Sequence, residues 1–185
     1  NITVTRGDIV IEDTRLQAFL EPFADGVIAH LVLHGFYQDA TTSSAEDLYN
    51  KIAEIKEENN LKGIILDLRN NGGGFLVQGV AISSFFIGKG IVASTKQYDG
   101  TLMHFRNEQS NIVWDGPLVV LMNKASASCA EIVAQCLQDY GRAIIVGDTQ
   151  SFGKGTYQIP SILPSSNTIN PKGEYKITQG MYYTV

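Results

Sequence analysis

The feature that most constrains the fold is an uninterrupted apolar run at residues 63–68, which leads directly into Arg69-Asn-Asn-Gly-Gly-Gly74. A short apolar run without alternation is typical of a strand that is buried on both faces, as in a parallel sheet. Residues 118–122 and 143–146 have the same pattern, and residues 26–33 predict a further strand. The glycine-rich turn therefore predicts the carboxyl end of a central strand, where ligands collect in such sheets.

Segments with helical periodicity alternate with these strands. Residues 45–59 have one apolar face, and the hydroxyl residues at positions 42–44 can cap the helix start. Two more helices are predicted at residues 76–86 and 127–140, the second ending at Gly141. This alternation predicts an α/β fold with a mainly parallel sheet and layered helices. The apolar face of the first helix consists of Ala45, Leu48, Tyr49, Ile52 and Ile55.

A hairpin and two irregular segments complete the predicted organisation. Residues 91–98 and 102–107 alternate on either side of Asp99-Gly100, which is a strong signal for a β-hairpin. The first twenty residues are typical of an edge segment. Residues 161–172 are rich in Pro, Ser and Asn and predict a loop before a last strand at residues 174–185.

Length and composition limit the class of protein. With 185 residues, 44% hydrophobic and 18% charged, the chain can bury a normal core and is expected to form one domain. Its apolar runs are far shorter than the roughly 20 residues that cross a bilayer. No secretory leader opens the sequence, so any targeting segment is expected outside these residues. The formal net charge of −5, with scattered lysines and arginines, argues against nucleic acid as a partner.

Two segments predict a serine nucleophile served by a lysine: Ser126-Ala-Ser-Cys-Ala-Glu131 and Phe152-Gly-Lys-Gly-Thr-Tyr-Gln158. A serine hydroxyl hardly ionises at neutral pH, so it needs a neighbouring base, and a buried lysine can be that base when its amine is neutral. Ser128 is predicted at a helix start, where free amides suit a developing oxyanion. Lys154 lies between two glycines, and Gln158 could hold its amine by a hydrogen bond.

Backbone amides are the predicted donors of an oxyanion hole. One donor would be the N–H of Cys129, which directly follows the candidate nucleophile. The second would come from Gly72, Gly73 or Gly74, because glycine tolerates the backbone angles that such a loop demands. The sequence does not choose among the three glycines.

Two charged pairs are predicted to support this site. Asp67 and Arg69 follow the central strand and are expected to pair and anchor the glycine-rich loop rather than to take part in the chemistry. Asp139 and Arg142 are expected to fix the end of the helix that begins near Ser128. The alternative for Asp139 is an exposed acid at a helix end.

Four blocks of the chain follow one another in a characteristic order: ILDLRNNGGG, SASCAEI, QDYGRAIIVGD and FGKGTYQ. Together they resemble the core of the tail-specific, or C-terminal-processing, serine proteases of the S41 type, and residues 26–37 extend the resemblance weakly upstream. The resemblance implies that Ser128 is the nucleophile, Lys154 the general base and Gln158 the residue that orients the lysine. It also implies Asp139 as a supporting residue and a layered core like those of ClpP and the crotonases.

The same resemblance implies a function. We expect a serine endopeptidase that hydrolyses peptide bonds in protein or peptide substrates, at or near their C-terminal tails, without a metal or cofactor. Residues 1–185 would form its protease core domain, incomplete at the C-terminus, with a PDZ module elsewhere in the full-length protein. The resemblance also implies the bacterial periplasm, the cell envelope or a plastid lumen, and it leaves self-association open.

Other nucleophiles are available in the sequence. Ser126 stands two residues before Ser128 and is predicted to cap or line the turn. Cys129 and Cys136 lie too far apart on one predicted helix for a disulfide. Cys129 stands beside Ser128, but it is predicted to be a small apolar residue on a buried helix face rather than a thiol nucleophile.

Other bases and motifs fit less well. His30, His34 and His104 could supply a Ser-His-Asp site, but none stands in a recognisable context, so structural or solvent-facing roles are predicted. Gly153-Lys-Gly-Thr156 has the composition of a phosphate-binding loop, but its spacing from Gly147 is wrong for one.

Two other classes of function are alternatives to the peptidase. A catalytically silent domain could capture extended peptides along a sheet edge. An acyl-transferring or isomerising enzyme on the crotonase-like scaffold would need a cofactor-binding surface, for which the sequence offers no residues.

Overall fold

The computed structural model describes residues 15–160 and 175–184. In these residues the chain forms nine strands and three helices, which lie in two sheets and the layers beside them. The elements are β1 Leu16–Phe23, β2 Gly26–Leu33, α1 Ser44–Glu58, β3 Leu61–Asp67, α2 Leu76–Ser84, β4 Gly90–Gln97, β5 Leu102–Asn107, β6 Leu118–Met122, α3 Cys129–Asp139, β7 Ile144–Gly147, β8 Thr156–Pro160 and β9 Lys176–Tyr183.

The first sheet has five strands in the order β1-β2-β3-β6-β7. Strands β2, β3, β6 and β7 run parallel, and β1 pairs antiparallel with β2 at one edge. The second sheet has four strands in the order β5-β4-β9-β8, and all its pairs are antiparallel. The predicted mainly parallel sheet therefore describes the first sheet. The second sheet contains the predicted hairpin as β4 and β5, but the pairing of β4 with β9 is missing from the prediction because it joins segments that are distant in sequence.

Most predicted elements occur where the sequence places them. Strands β2, β5 and β6 have the predicted bounds, and each helix agrees to within about two residues, the usual uncertainty of helix ends. The side chain of Ser43 accepts the N–H of Glu46 and caps α1, which confirms the predicted capping segment. The predictions for residues 1–14 and 161–172 lie outside the described residues.

Two expectations about local structure are wrong, and one strand is absent from the prediction. Tyr49 is 48% exposed, because it lies at the margin of the buried face of α1. Strand β7 is not buried as expected, since Ile144 and Val146 are 68% and 48% exposed at an edge strand with a neighbour on one side only. Strand β8 is missing from the prediction, because its short sequence carries no continuous apolar run.

The core lies between the first sheet and the helices. Alternate residues of β2 and β6 point into it, as the burial of Ala29, Leu31 and Leu33 shows for β2. Helix α3 contributes a largely buried face that includes Ile132 and Leu137. None of the helices in the described part of the chain is long and apolar enough to span a lipid bilayer.

The carboxyl ends of β3 and β6 meet at one edge of the first sheet and position the segments that follow them. The N–H of Leu68 donates to the carbonyl of Leu121 at 2.9 Å, which extends the pairing beyond the strands. The N–H of Ala127 then donates to the carbonyl of Asn71 at 2.9 Å. The glycine-rich loop after β3 is therefore held against the turn that leads into α3.

Candidate active site

One cavity of about 750 Å³ lies between the glycine-rich loop, the start of α3 and the second sheet. Its wall includes apolar side chains of the second sheet, such as Met103 and Phe105 on β5, and of the segments before α2, such as Phe36 and Phe75. It brings together these predicted site residues: Gly72, Gly73, Gly74, Ser128, Cys129, Lys154 and Gln158.

Ser128 occupies the turn between β6 and α3 in an unusual backbone conformation. It precedes the first residue of α3 and has φ 58° and ψ −117°. A positive φ is uncommon for a residue other than glycine and persists only where the surrounding structure enforces it. Such strain concentrates at functional sites, so this conformation marks Ser128 as a candidate nucleophile on grounds independent of its sequence context.

The side chain of Asn71 fixes the glycine-rich loop. Asn71 is fully buried, and its Nδ2 donates to the carbonyl of Leu33 at 2.8 Å. Its Oδ1 accepts the N–H of Gly73 at 2.9 Å. Because Gly73 also has φ 97°, a conformation that disfavours other residues, the loop has a defined shape beside the nucleophile.

These bonds narrow the set of oxyanion donors. The N–H of Gly73 is engaged by Asn71, so it is not available for a substrate oxygen. Within the described residues, the N–H groups of Gly72, Gly74 and Cys129 donate no hydrogen bond. Cys129 is the first residue of α3, and a helix leaves its first N–H groups without intrahelical partners.

Glu131 joins the nucleophile turn, which carries Ser128, to the lysine segment at residues 152–158. The sequence does not predict this role. Its Oε2 accepts the N–H of Ser128 at 2.7 Å and the N–H of Lys154 at 2.9 Å. Its Oε1 accepts the N–H of Gly153 and the hydroxyl of Ser151, both at 2.6 Å. The spacing of a serine and a glutamate three residues later is a capping-box signal that could have drawn attention to Glu131.

The side chains of Lys154 and Gln158 line the cavity but are not joined to each other. Gln158 Nε2 donates to Thr178 Oγ1 on β9 at 3.4 Å, next to a register shift in β8. The described residues provide no hydrogen bond between Gln158 and the Lys154 amine. The half-buried Lys154 is held through its backbone by Glu131.

Asp67 and Arg69 form the predicted pair beneath the loop. Arg69 Nε donates to Asp67 Oδ1 at 2.9 Å, and a second guanidinium nitrogen lies 2.6 Å from Oδ2. His30 Nε2 lies 3.1 Å from the same Oδ2. Burial alone would raise the pKa of Asp67, but the hydrogen bonds from Arg69 and His30 outweigh it and hold this pKa below its usual value.

Asp139 and Arg142 lie away from the cavity and, within the described residues, form no ion pair with each other. The exposed Asp139 accepts a hydrogen bond from Gln135 on its own helix. Arg142 donates to the carbonyls of Phe86, Trp114 and Gly116. Arg142 therefore anchors the chain after α3 through backbone groups, without the expected partner.

The rival nucleophiles are occupied or buried. Ser126 is fully buried, and its hydroxyl donates to the carbonyl of Leu68 at 2.8 Å and accepts the N–H of Asn123 at 2.9 Å. Burial raises the pKa of the Cys129 thiol to about 12 and that of the Cys136 thiol to about 11. A thiol at such a pKa is protonated, and thus a poor nucleophile, at neutral pH.

The histidines lie outside the cavity wall. His30 is engaged by Asp67, and His34 is exposed. His104 Nδ1 is 2.8 Å from Ser94 Oγ, but these two residues alternate with cavity-lining neighbours and face the other side of the second sheet. The described residues therefore assemble no Ser-His-Asp arrangement at this cavity.

Comparisons with known proteins find several proteases that are similar to this chain. The carboxy-terminal-processing protease of Bartonella bacilliformis is 38% identical over 164 residues, which cover 86% of this chain and 35% of that protein. The tail-specific protease of Haemophilus influenzae is 34% identical over 157 residues, covering 85% of this chain and 22% of that protein. A solved structure described as a photosystem II D1 C-terminal processing protease matches with a TM-score of 0.67 and 27% identity, covering 85% of this chain and 38% of that one.

The chain therefore spans well under half the length of each of these relatives. The family model described as Peptidase family S41 matches residues 27–185, which include both the glycine-rich loop and the lysine segment. On this match, and on the identity to curated members, the chain belongs to Peptidase family S41.

Proposed function

We propose that this chain carries the catalytic centre of a serine endopeptidase that uses a Ser-Lys dyad on protein substrates, at or near their C-terminal tails. The observation that carries the proposal is the strained Ser128, which shares one cavity with Lys154 and is tied to the lysine segment through Glu131. Membership of a peptidase family, and relatives named carboxy-terminal-processing and tail-specific proteases, support it.

In the proposed reaction, Ser128 Oγ attacks the peptide carbonyl while the neutral Lys154 amine accepts the hydroxyl proton. Negative charge then develops on the carbonyl oxygen, where the free N–H of Cys129 and that of Gly72 or Gly74 stabilise it. As the C–N bond breaks, Lys154 returns the proton to the leaving amine. Water hydrolyses the resulting ester, with Lys154 as the base again, and Ser128 is regenerated.

Gln158 can orient Lys154 in this reaction only after it changes its hydrogen-bond partner. To orient the lysine it must exchange its long hydrogen bond to Thr178 for one to the Lys154 amine. Both side chains line the cavity, and the proposed exchange takes place within it. Gln158 is therefore proposed as a positioning residue.

The setting of this centre is also part of the proposal. Residues 1–185 would form a protease core domain with layers like those of ClpP and the crotonases, and a PDZ module would lie elsewhere in the full-length protein. The location would be a bacterial periplasm or envelope, or a plastid lumen. The bacterial origin of the two curated relatives and the likeness to a photosystem II processing protease support these compartments.

The test is covalent labelling of the full-length protein with a fluorophosphonate probe, alongside cleavage of an unfolded protein substrate. The wild type should be labelled and active, whereas Ser128→Ala and Lys154→Ala should be neither. Ser94→Ala is the matched serine control, because Ser94 faces away from the cavity beside His104 and should keep both properties. Unlabelled wild type that binds the substrate without cutting it would favour the silent peptide-binding domain.

A further inference from the structure

Tyr182 is a part of the cavity wall that the sequence does not single out. It lies on β9, and its N–H donates to the carbonyl of Gly155 at 3.0 Å, which places it directly beside Lys154 in the fold. Its partly buried side chain packs against the core and lines the same cavity as Ser128. The strand thus places a phenol in the wall of the cavity that holds the candidate nucleophile.

The hydroxyl of Tyr182 is buried and without a hydrogen-bond partner. Among the described residues only two buried side-chain polar atoms have this property, Tyr182 Oη and Ser83 Oγ. Leaving a polar group without water or a partner costs free energy, so such groups are rare in folded proteins and call for a reason. A function in the cavity is one such reason.

The surroundings of the phenol define what it can do. Burial, with a smaller contribution from the nearby Glu131 carboxylate, raises the pKa of Tyr182 to about 12. The Ser128 side chain is near enough to lower this pKa, although the two hydroxyls form no hydrogen bond of acceptable geometry. The phenol therefore keeps its proton at neutral pH and can act as a donor, with the Ser128 hydroxyl beside it as the acceptor.

We propose that Tyr182 is a further catalytic residue, whose hydroxyl donates a hydrogen bond to Ser128 Oγ during acylation and deacylation. This inference rests on the proposed function, in which Ser128 is the nucleophile. The bond forms when Ser128 Oγ turns towards the buried phenol, which lines the same cavity.

Tyr182 keeps its proton throughout the proposed reaction, because Lys154 carries out every proton transfer. In acylation the Ser128 proton passes to the Lys154 amine and then to the leaving amine, while Oγ forms the ester bond. In deacylation a proton of water passes to Lys154 and then to Oγ as the ester bond breaks. In both steps Oγ carries partial negative charge, and a fixed donor stabilises that charge without being consumed. The N–H groups of Cys129 and the glycine-rich loop remain free for the carbonyl oxygen.

The test is Tyr182→Phe in the full-length protein, which removes the hydroxyl and keeps the ring. We expect kcat and the rate of fluorophosphonate labelling to fall about tenfold to hundredfold, as for loss of a hydrogen bond to a charged group. KM should stay the same. The temperature of unfolding should be unchanged or higher, because the variant removes a buried hydroxyl that has no partner.

Ser83→Ala is the matched control, since it deletes the other unpartnered buried hydroxyl among the described residues, on α2 and outside the cavity wall. It should leave kcat and the labelling rate at wild-type values. Wild-type rates for Tyr182→Phe, or reduced rates together with a lowered unfolding temperature, would overturn the role of Tyr182. If Ser128→Ala is inactive in the same assays, the proposed function stands whatever the result for Tyr182; if Ser128→Ala is active, the proposed function itself fails.

Discussion

A Cβ added to Gly73 would stand 2.7 Å from the Cβ of Ser128 and 3.0 Å from the backbone nitrogen of Cys129. The absent side chain of Gly73 therefore leaves open the space beside the nucleophile and beside a free helix N–H. This relationship makes position 73 part of the candidate site although it contributes no side chain and its own N–H is engaged by Asn71.

We predict that Gly73→Ala abolishes labelling by a fluorophosphonate. The added methyl group clashes with Ser128, and φ 97° is strained for alanine. Loss of one oxyanion donor typically costs about 10² to 10³ in kcat, and displacement of the loop should cost at least as much. Gly88→Ala is the control, because a Cβ there would meet no atom within 4 Å. Normal labelling of Gly73→Ala would contradict the close approach of loop and nucleophile.

Glu131→Gln should uncouple the lysine segment from the nucleophile turn. Glutamine keeps the size of the side chain but lacks the charge and one of the acceptor oxygens that serve Ser128, Lys154, Gly153 and Ser151. Hydrogen bonds to a charged group contribute about 1.5 to 3 kcal/mol each, so we expect lower stability and at least a tenfold lower kcat.

The measurements for Glu131→Gln are kcat, urea unfolding and proteolytic nicking of the full-length protein. Nicking should appear within residues 151–154, where the carboxylate holds the backbone. Glu57→Gln, an exposed change near the end of α1, is the charge-matched control. Equal kcat values for the two variants would exclude a positioning role for Glu131.

Asp67 should make folding stability depend on acid pH. Its pKa in the folded protein lies below the ordinary value of 3.8, so its ionised form contributes stability above that pH. This contribution is lost as the pH falls through the folded-state pKa. We expect Asp67→Asn to lower the free energy of unfolding by about 1 to 3 kcal/mol at neutral pH, because Arg69 and His30 lose their carboxylate. In urea titrations at several pH values, the difference from wild type should shrink below pH 3.8; a constant difference would contradict the assignment.

Alkylation should distinguish the serine from the neighbouring thiol. Cys129 is 2% exposed and its thiol pKa is raised to about 12, so iodoacetamide at neutral pH should leave kcat unchanged. Cys129→Ala should stay labelled by the fluorophosphonate, since the backbone N–H is retained. Inactivation by iodoacetamide that is lost in Cys129→Ala would instead identify a thiol nucleophile.

The parts of the fold that depend on local pattern are predictable from the sequence. The continuous apolar runs locate β3 and β6, and helical periodicity locates α1 and α3 to within about two residues. In the second sheet, local pattern predicts the hairpin of β4 and β5 but not the pairing of β4 with β9, which crosses a long stretch of the chain. The exposure of Ile144 likewise depends on which strand lies at the edge, and periodicity does not carry that information.

The candidate site also has a part that local sequence pattern predicts and a part that depends on tertiary contacts. The helix start at Ser128, the two glycines beside Lys154 and the resemblance to a protease family together suggest both residues, and the fold brings both to one cavity. The role of Glu131 and the position of Tyr182 depend on tertiary contacts, which local sequence patterns do not reveal. The sequence pairs Gln158 with the lysine, whereas strand pairing gives it Thr178 as a neighbour.

Because β9 forms one wall of the cavity and pairs with β4, the wall closes only after the intervening chain has been synthesised. A chain that extends only as far as β8 already contains Ser128 and Lys154 but lacks the strand that carries Tyr182 and completes the cavity wall. The candidate site is therefore complete only once β9 has paired with β4.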